Sequence, residues 1–150
     1  MIIKNTNGEG LNKLKTYIKE LGNKQIVVGV TAEHNARPDG GSNALIGATH
    51  EFGSPSNGIP ERSWLRSTMM EQGDKYARLM AESVPQSIAN GTSAEVAYDK
   101  VGETAANDVK NKIKSGNFTP LKQATIDRKG SSKPLTDDGH FWGSISHEIR

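Results

Sequence analysis

Leu11, Leu14, Ile18 and Leu21 recur at the spacing of one helix face, with Lys13, Lys15, Lys19 and Glu20 between them. That spacing predicts an amphipathic helix over 10–21, closed by Gly22. Residues 25–31 (Gln-Ile-Val-Val-Gly-Val-Thr) form a short β-branched run and read as a buried strand. Residues 36–43 (Ala-Arg-Pro-Asp-Gly-Gly-Ser-Asn) are turn chemistry throughout and predict a mobile loop. A short helix follows over 44–52, ended by Gly53, and then an irregular stretch over 54–60 with two prolines and a glycine.

Two longer helices come next. Ser63 is placed to N-cap a helix over 64–84 whose imperfect apolar face is Trp64, Leu65, Thr68, Met69, Tyr76, Leu79 and Met80. Pro85 is expected to kink or interrupt it. Ser93, Glu95 and Val96 open the second helix. Ala97, Val101, Ala105, Val109 and Ile113 stand four apart along one stripe, and Gly116 stops it. Residues 118–134 read as basic loop with one helical turn near 123–128, and the alternation over 144–149 predicts a closing strand. The fold class is therefore α+β: a small, mainly antiparallel sheet packed with two longer helices and a short N-terminal helix, with long mobile loops, in a single domain over 1–150.

Composition makes this domain marginal. Hydrophobic residues are 33 % of the 150 and aromatics 5 %, and mean hydropathy is −0.63. A subunit with so little apolar surface to bury gains order from whatever binds its folded state, neighbouring copies included. The net charge of +2 is too small to advertise nucleic-acid binding, yet it is unevenly spread. Residues 110–150 carry eight Lys/Arg and four Asp/Glu, a net of +4, against −2 for the rest. Opposite local charges suit head-to-tail contacts between identical subunits as well as they suit a nucleic acid. Without cysteine there is no disulfide framework or thiolate chemistry. No signal-like or membrane-spanning run is visible, so a soluble protein made inside the cell is expected.

Catalytic patterns are mostly missing. His50-Glu51 begins like a zinc-protease helix, but Phe52-Gly53-Ser54 follows and the second histidine is lacking. His34, His50, His140 and His147 are spread singly. Asp137-Asp138 is a carboxylate pair that reads more simply as an acidic turn or helix entry. Asp39-Gly40-Gly41-Ser42 does not match a phosphate-binding loop. Lys110-Asn111-Lys112-Ile113-Lys114 reads either as a solvated helix face or as a phosphate-contacting one.

Two stretches resemble something known. In the first, Ala44 leads through His50-Glu51-Phe52-Gly53 and a short loop to Ile59-Pro60-Glu61-Arg62-Ser63-Trp64-Leu65-Arg66. In the second, Pro120-Leu121 and Thr125-Ile126-Asp127-Arg128-Lys129-Gly130 lead to Pro134-Leu135-Thr136-Asp137-Asp138-Gly139-His140-Phe141 and Ser144-Ile145. In this order, with paired helices between them, they resemble the tail-completion, neck and virion-morphogenesis proteins of long-tailed bacteriophages, over about two thirds of the chain. Ser63 stands where that family often has proline, Trp64 where it has phenylalanine, Asp138 where it has threonine and Phe141 where it has leucine.

The resemblance implies a structural virion protein at the head–tail junction, made and assembled in the host bacterial cytoplasm. It implies a homo-oligomeric ring, hexameric by expectation, between the head connector or stopper and the tail terminator or tail tube. Contact with passing genomic DNA is part of that picture; membrane, cofactor, metal and catalytic residues are not. The candidate subunit or partner contacts are Glu51, Phe52, Ile59, Pro60, Arg62, Trp64, Leu65, Arg66, Leu135, Asp138, Gly139 and Phe141. Arg62 and Arg66, four apart, are expected to reach outward, while Trp64 and Leu65 read equally as core. The 37–43 loop is expected to order on meeting the next ring, as loops of such proteins do. A tail terminator is the nearest alternative. A DNA-binding protein using the basic C-terminal third, and a hydrolase using a metal at His50, Glu51 and Asp137/Asp138, are alternatives of other classes.

Overall fold

The computed structural model describes residues 8–136 and 139–150. Helix α1 (Glu9–Asn23) leads into strand β1 (Ile26–Val30), a 3₁₀ turn (Ala32–His34) and α2 (Asn43–Phe52). A second 3₁₀ turn (Pro55–Asn57) precedes the long helices α3 (Arg66–Ala89) and α4 (Ala94–Ser115). Two short helices, α5 (Gln123–Lys129) and α6 (His140–Gly143), and strand β2 (Ile145–Ile149) complete the order. The architecture is the α+β arrangement expected from the pattern of elements.

The sheet closes the chain on itself. β1 and β2 pair antiparallel with Ile26 opposite Ile149 and Val30 opposite Ile145. This pairing spans more than a hundred residues, so it is secured by packing and not by a turn. Helix α4 lies across the sheet and also receives α3. Its expected stripe is the centre of the core: Ala97, Val101, Ala105, Val109 and Ile113 are all buried, with Gly116 in the left-handed conformation at its end. Val109 and Ile113 are fully enclosed, each a gain of about 1.5–3 kcal/mol over exposure. Gly102 leaves room for the sheet against this helix, since a Cβ there would collide with the His147 ring.

Around that stripe gather Trp64, Ala106, Leu135, Phe141 and Ile145, with Val28, Val30, Ile46 and Met69 packed against them. Trp64 meets Phe141 edge to face, ring centroids 5.1 Å apart at 89°, a geometry matched to the ring quadrupoles. The Trp64 indole also donates to the Gly47 carbonyl of α2 (2.9 Å). Glycine is required there: a Cβ at 47 would lie 2.9 Å from the Trp64 ring and 3.0 Å from Phe141.

Several expectations are corrected. Gly22 is inside α1, which runs on to Asn23. Pro85 does not interrupt α3, which continues to Ala89. Small side chains on both sides of the proline, Ser83 and Ser87, are buried, and packing of the helix along α4 outweighs a proline penalty of about 3 kcal/mol. The 36–43 segment, expected as a loop, has internal hydrogen bonds of its own. It folds into a tight turn in which Arg37 N–H donates to the Gly41 carbonyl and Gly40 N–H to that of Arg37. Asn35 Oδ1 accepts from Ser42 Oγ and Ala44 N–H, and the Asn43 amide donates to the His34 carbonyl. Asn and Asp side chains satisfy backbone groups of the turn internally. Helix α6 replaces part of what read as a simple turn before the last strand.

Candidate functional site

The stretch that carries the resemblance folds as a latch between α2 and α3. Helix α2 starts with Ser42, whose hydroxyl accepts from Leu45 N–H, and stops at Gly53 with φ 74°. A Cβ at 53 would press within 2.8 Å of the Glu61 backbone nitrogen, so the sharp reversal depends on glycine. The chain then turns back, with Ser54 bridged to Ile59, and lays residues 61–66 along the end of α2.

Glu51 is at the centre of this latch and is 3 % exposed. Its Oε2 accepts from the N–H groups of Trp64 (2.9 Å) and Leu65 (2.8 Å). Its Oε1 accepts from Ser63 Oγ (2.8 Å), Arg66 N–H (3.1 Å) and Arg66 Nε (2.8 Å). Burial acts to raise the carboxyl pKa, but hydrogen bonds from Leu65 N–H, Ser63 and Arg66 outweigh it and hold the group below its ordinary range. A charge from another helix thus caps α3, satisfying amide groups that have no intrahelical partner. Ser63 was expected to start that helix at 64; it begins at Arg66 instead, and Ser63 Oγ supports it by accepting from Ser67 N–H.

Arg62 also differs from expectation. It does not reach outward: it is 4 % exposed and ties the latch to the segment before α5. Nε donates to the Thr119 carbonyl (2.8 Å) and Nη2 to that of Pro120 (3.2 Å). Nη1 lies 3.2 Å from His50 Nδ1. Burial first, then the charges of Arg62 and Lys129, push the His50 pKa down to about 4, so the ring is neutral near pH 7 and its Nδ1 can accept.

That shift has a measurable consequence. The folded value is below the ordinary 6.5, so between pH 6.5 and about 4 the unfolded chain binds more protons and stability falls as pH falls. The slope from this one group is at most about 1.4 kcal/mol per pH unit, reduced by its partial contact with solvent. Denaturant midpoints measured at pH 7 and pH 5 are expected to separate more for the native protein than for His50→Gln. Equal separations would remove His50 from the acid response.

Of the candidate contacts, Glu51, Arg62, Trp64, Leu135 and Phe141 are buried within the protomer. Ile59, Pro60, Leu65 and Gly139 are half-buried, and Asp138 is outside the described residues. What remains at the surface is Phe52, with the Arg66 guanidinium 4.9 Å over its ring. Leu45 lies on the same outer face of α2, seven positions earlier; the two are 68 % and 65 % exposed.

A second apolar face was hidden in the sequence because it looks like core. On α1, Leu11, Leu14 and Ile18 are all exposed, and Tyr17 is the helix's one buried residue. The helix is held at its far end, where the Tyr98 hydroxyl donates to the Leu21 carbonyl. Its hydrophobic stripe therefore faces outward.

The histidines stand apart from one another: His147 Nε2 is 2.8 Å from Asp99 and His34 Nδ1 is 2.8 Å from Thr31 Oγ1. Among the described residues no three His, Asp or Glu side chains gather as metal ligands do, and no helix is long and apolar enough to cross a membrane. Comparison with protein-family models, curated proteins and solved structures finds no match to this chain.

Proposed function

We propose that this chain is a structural subunit of the head–tail junction of a long-tailed bacteriophage, working by assembly and not by catalysis. The observation that carries the assembly reading is the apolar surface left uncovered on α1 and α2, namely Leu11, Leu14, Ile18, Leu45 and Phe52. A chain with so small a hydrophobic content does not leave two helix faces exposed at no cost; exposed apolar faces mark interaction sites. Phe52 with Arg66 beside it has the aromatic and guanidinium character of an interface centre. The virion assignment rests on the resemblance of the two sequence stretches. Within it, the buried latch keeps the protomer rigid while the outer faces of α1 and α2 meet copies or partners. A closed ring between head connector and tail follows if those contacts are head-to-tail.

Molar mass from light scattering, with negative-stain images of the same fractions, tests this. Rings of roughly six copies are expected, formed alone or upon addition of connector or tail-tube protein. The double substitution Leu45→Ser with Phe52→Ser is expected to abolish them while leaving the melting temperature nearly unchanged, since both side chains are exposed. A protein that stays monomeric with every neck and tail component would sink the reading. Capture by the tail tube but not by the connector would favour a tail terminator.

A further inference from the structure

Between α2 and α5 a cleft of about 750 Å³ opens, within the size range of small-ligand sites. Arg62 forms part of its wall. As described, that guanidinium is almost wholly buried, and its partners are two backbone carbonyls and a neutral histidine. None of them is an anion. Burying a charge without a counter-charge is costly, and three of its roughly five N–H donors are engaged, leaving capacity for an acceptor.

The other charged residues of the wall, among apolar and neutral ones, have the same sign. Lys122 and Arg128, both exposed, line the cleft from the α5 side, as does the half-buried Thr125. Among the described residues that line it, no aspartate or glutamate appears. Arg37 and Lys129 also line it, although they have partners of their own. His50, whose pKa is depressed by burial and by two of these cations, reports the same positive field.

We propose that this cleft binds a phosphate group, with Arg62, Lys122 and Arg128 as the cationic contacts and Thr125 as a hydroxyl donor. A planar guanidinium fork combined with a mobile ammonium suits tetrahedral oxyanions. The proposal is independent of ring assembly and needs no second subunit. The phosphate has two sources of shared chemistry: a small monoester, or the diester backbone of a DNA duplex.

The test titrates the full chain with sodium phosphate, with adenosine monophosphate and with a short DNA duplex, at constant ionic strength. Amide NMR shifts of residues 57–62 and 122–129 are the readout. Saturable shifts confined to these segments are expected. The double variant Lys122→Glu with Arg128→Glu should weaken binding about tenfold or more, and a control with Lys15→Glu and Lys19→Glu on α1 should not. Because Lys122 and Arg128 are exposed, both variants are expected to keep the native melting temperature; the milder Lys122→Gln and Arg128→Gln provide a second pair. Saturation by phosphate and the nucleotide, without competition from duplex, identifies a small monoester. Tighter duplex binding whose salt dependence shrinks in the double variant identifies the DNA backbone. No saturable shift with any of the three overturns the proposal, as does equal weakening in the α1 control.

Discussion

Glu51→Ala is expected to destabilise the protein by about 3–5 kcal/mol, the cost of breaking a buried, hydrogen-bonded charge cluster. Five donors lose their acceptor at once: three backbone N–H groups at the start of α3, the Ser63 hydroxyl and the Arg66 Nε. Arg66 keeps Glu61, 2.7 Å away, but that pair is at the surface and contributes little. For a chain of this size the loss corresponds to a fall in melting temperature of roughly 10 °C. Glu51→Gln should recover only part of it, because the amide nitrogen would face N–H groups where an oxygen is needed. The pH dependence has a definite sign. The folded carboxyl is held below its ordinary 4.5, so its contribution is complete above that value and is lost as pH falls below it. Urea titrations of the three proteins at pH 7 decide the matter. A loss under about 1 kcal/mol for Glu51→Ala would mean that α3 is held by its packing on α4 alone.

Trp64→Ala is expected to cost about as much, roughly 3–5 kcal/mol, for a different reason. Trp64 is 3 % exposed and is part of the central cluster with Val109, Ile113, Phe141 and Ile145. Removing the indole leaves a cavity beside Gly47, where the backbone has come close only because the ring is there. It also removes the indole's hydrogen bond to the Gly47 carbonyl and ends the edge-to-face contact with Phe141. Trp64→Phe separates these effects. It keeps an aromatic ring of the kind found in the resembled phage proteins and loses the indole N–H, for an expected cost of about 1–2 kcal/mol. If Trp64→Ala and Trp64→Phe unfold at the same denaturant concentration, the hydrogen bond and not the packing is what matters at this position.

The α4 stripe, the Gly116 stop, the extent of α5 and the closing strand were all legible in the sequence. Each is a local matter: a period of four, a glycine in the left-handed region, or an alternation, read within one or two dozen residues. The same local logic misplaced the start of α3. Its cap is the carboxylate of Glu51, thirteen positions before Trp64 and on another helix, and no spacing rule links the two. Pro85 misled in the opposite direction, because a helix-breaking propensity of a few kcal/mol yields to packing along α4 that propensity does not see.

The candidate contacts divide along the same line. The resemblance grouped residues 44–53 with 59–66, and the structure joins Glu51 of the first stretch to residues 63–66 of the second. Which of them face inward was decided by tertiary structure. Arg62 is buried because carbonyls 57 and 58 positions away, at Thr119 and Pro120, take its hydrogen bonds. Leu11, Leu14 and Ile18 form an amphipathic face by sequence alone, yet only the fold determines that α4 and the sheet leave it uncovered. Periodicity is a property of the chain and can be read from it. Burial of a charge, or exposure of a hydrophobic face, depends on which distant groups arrive to meet it.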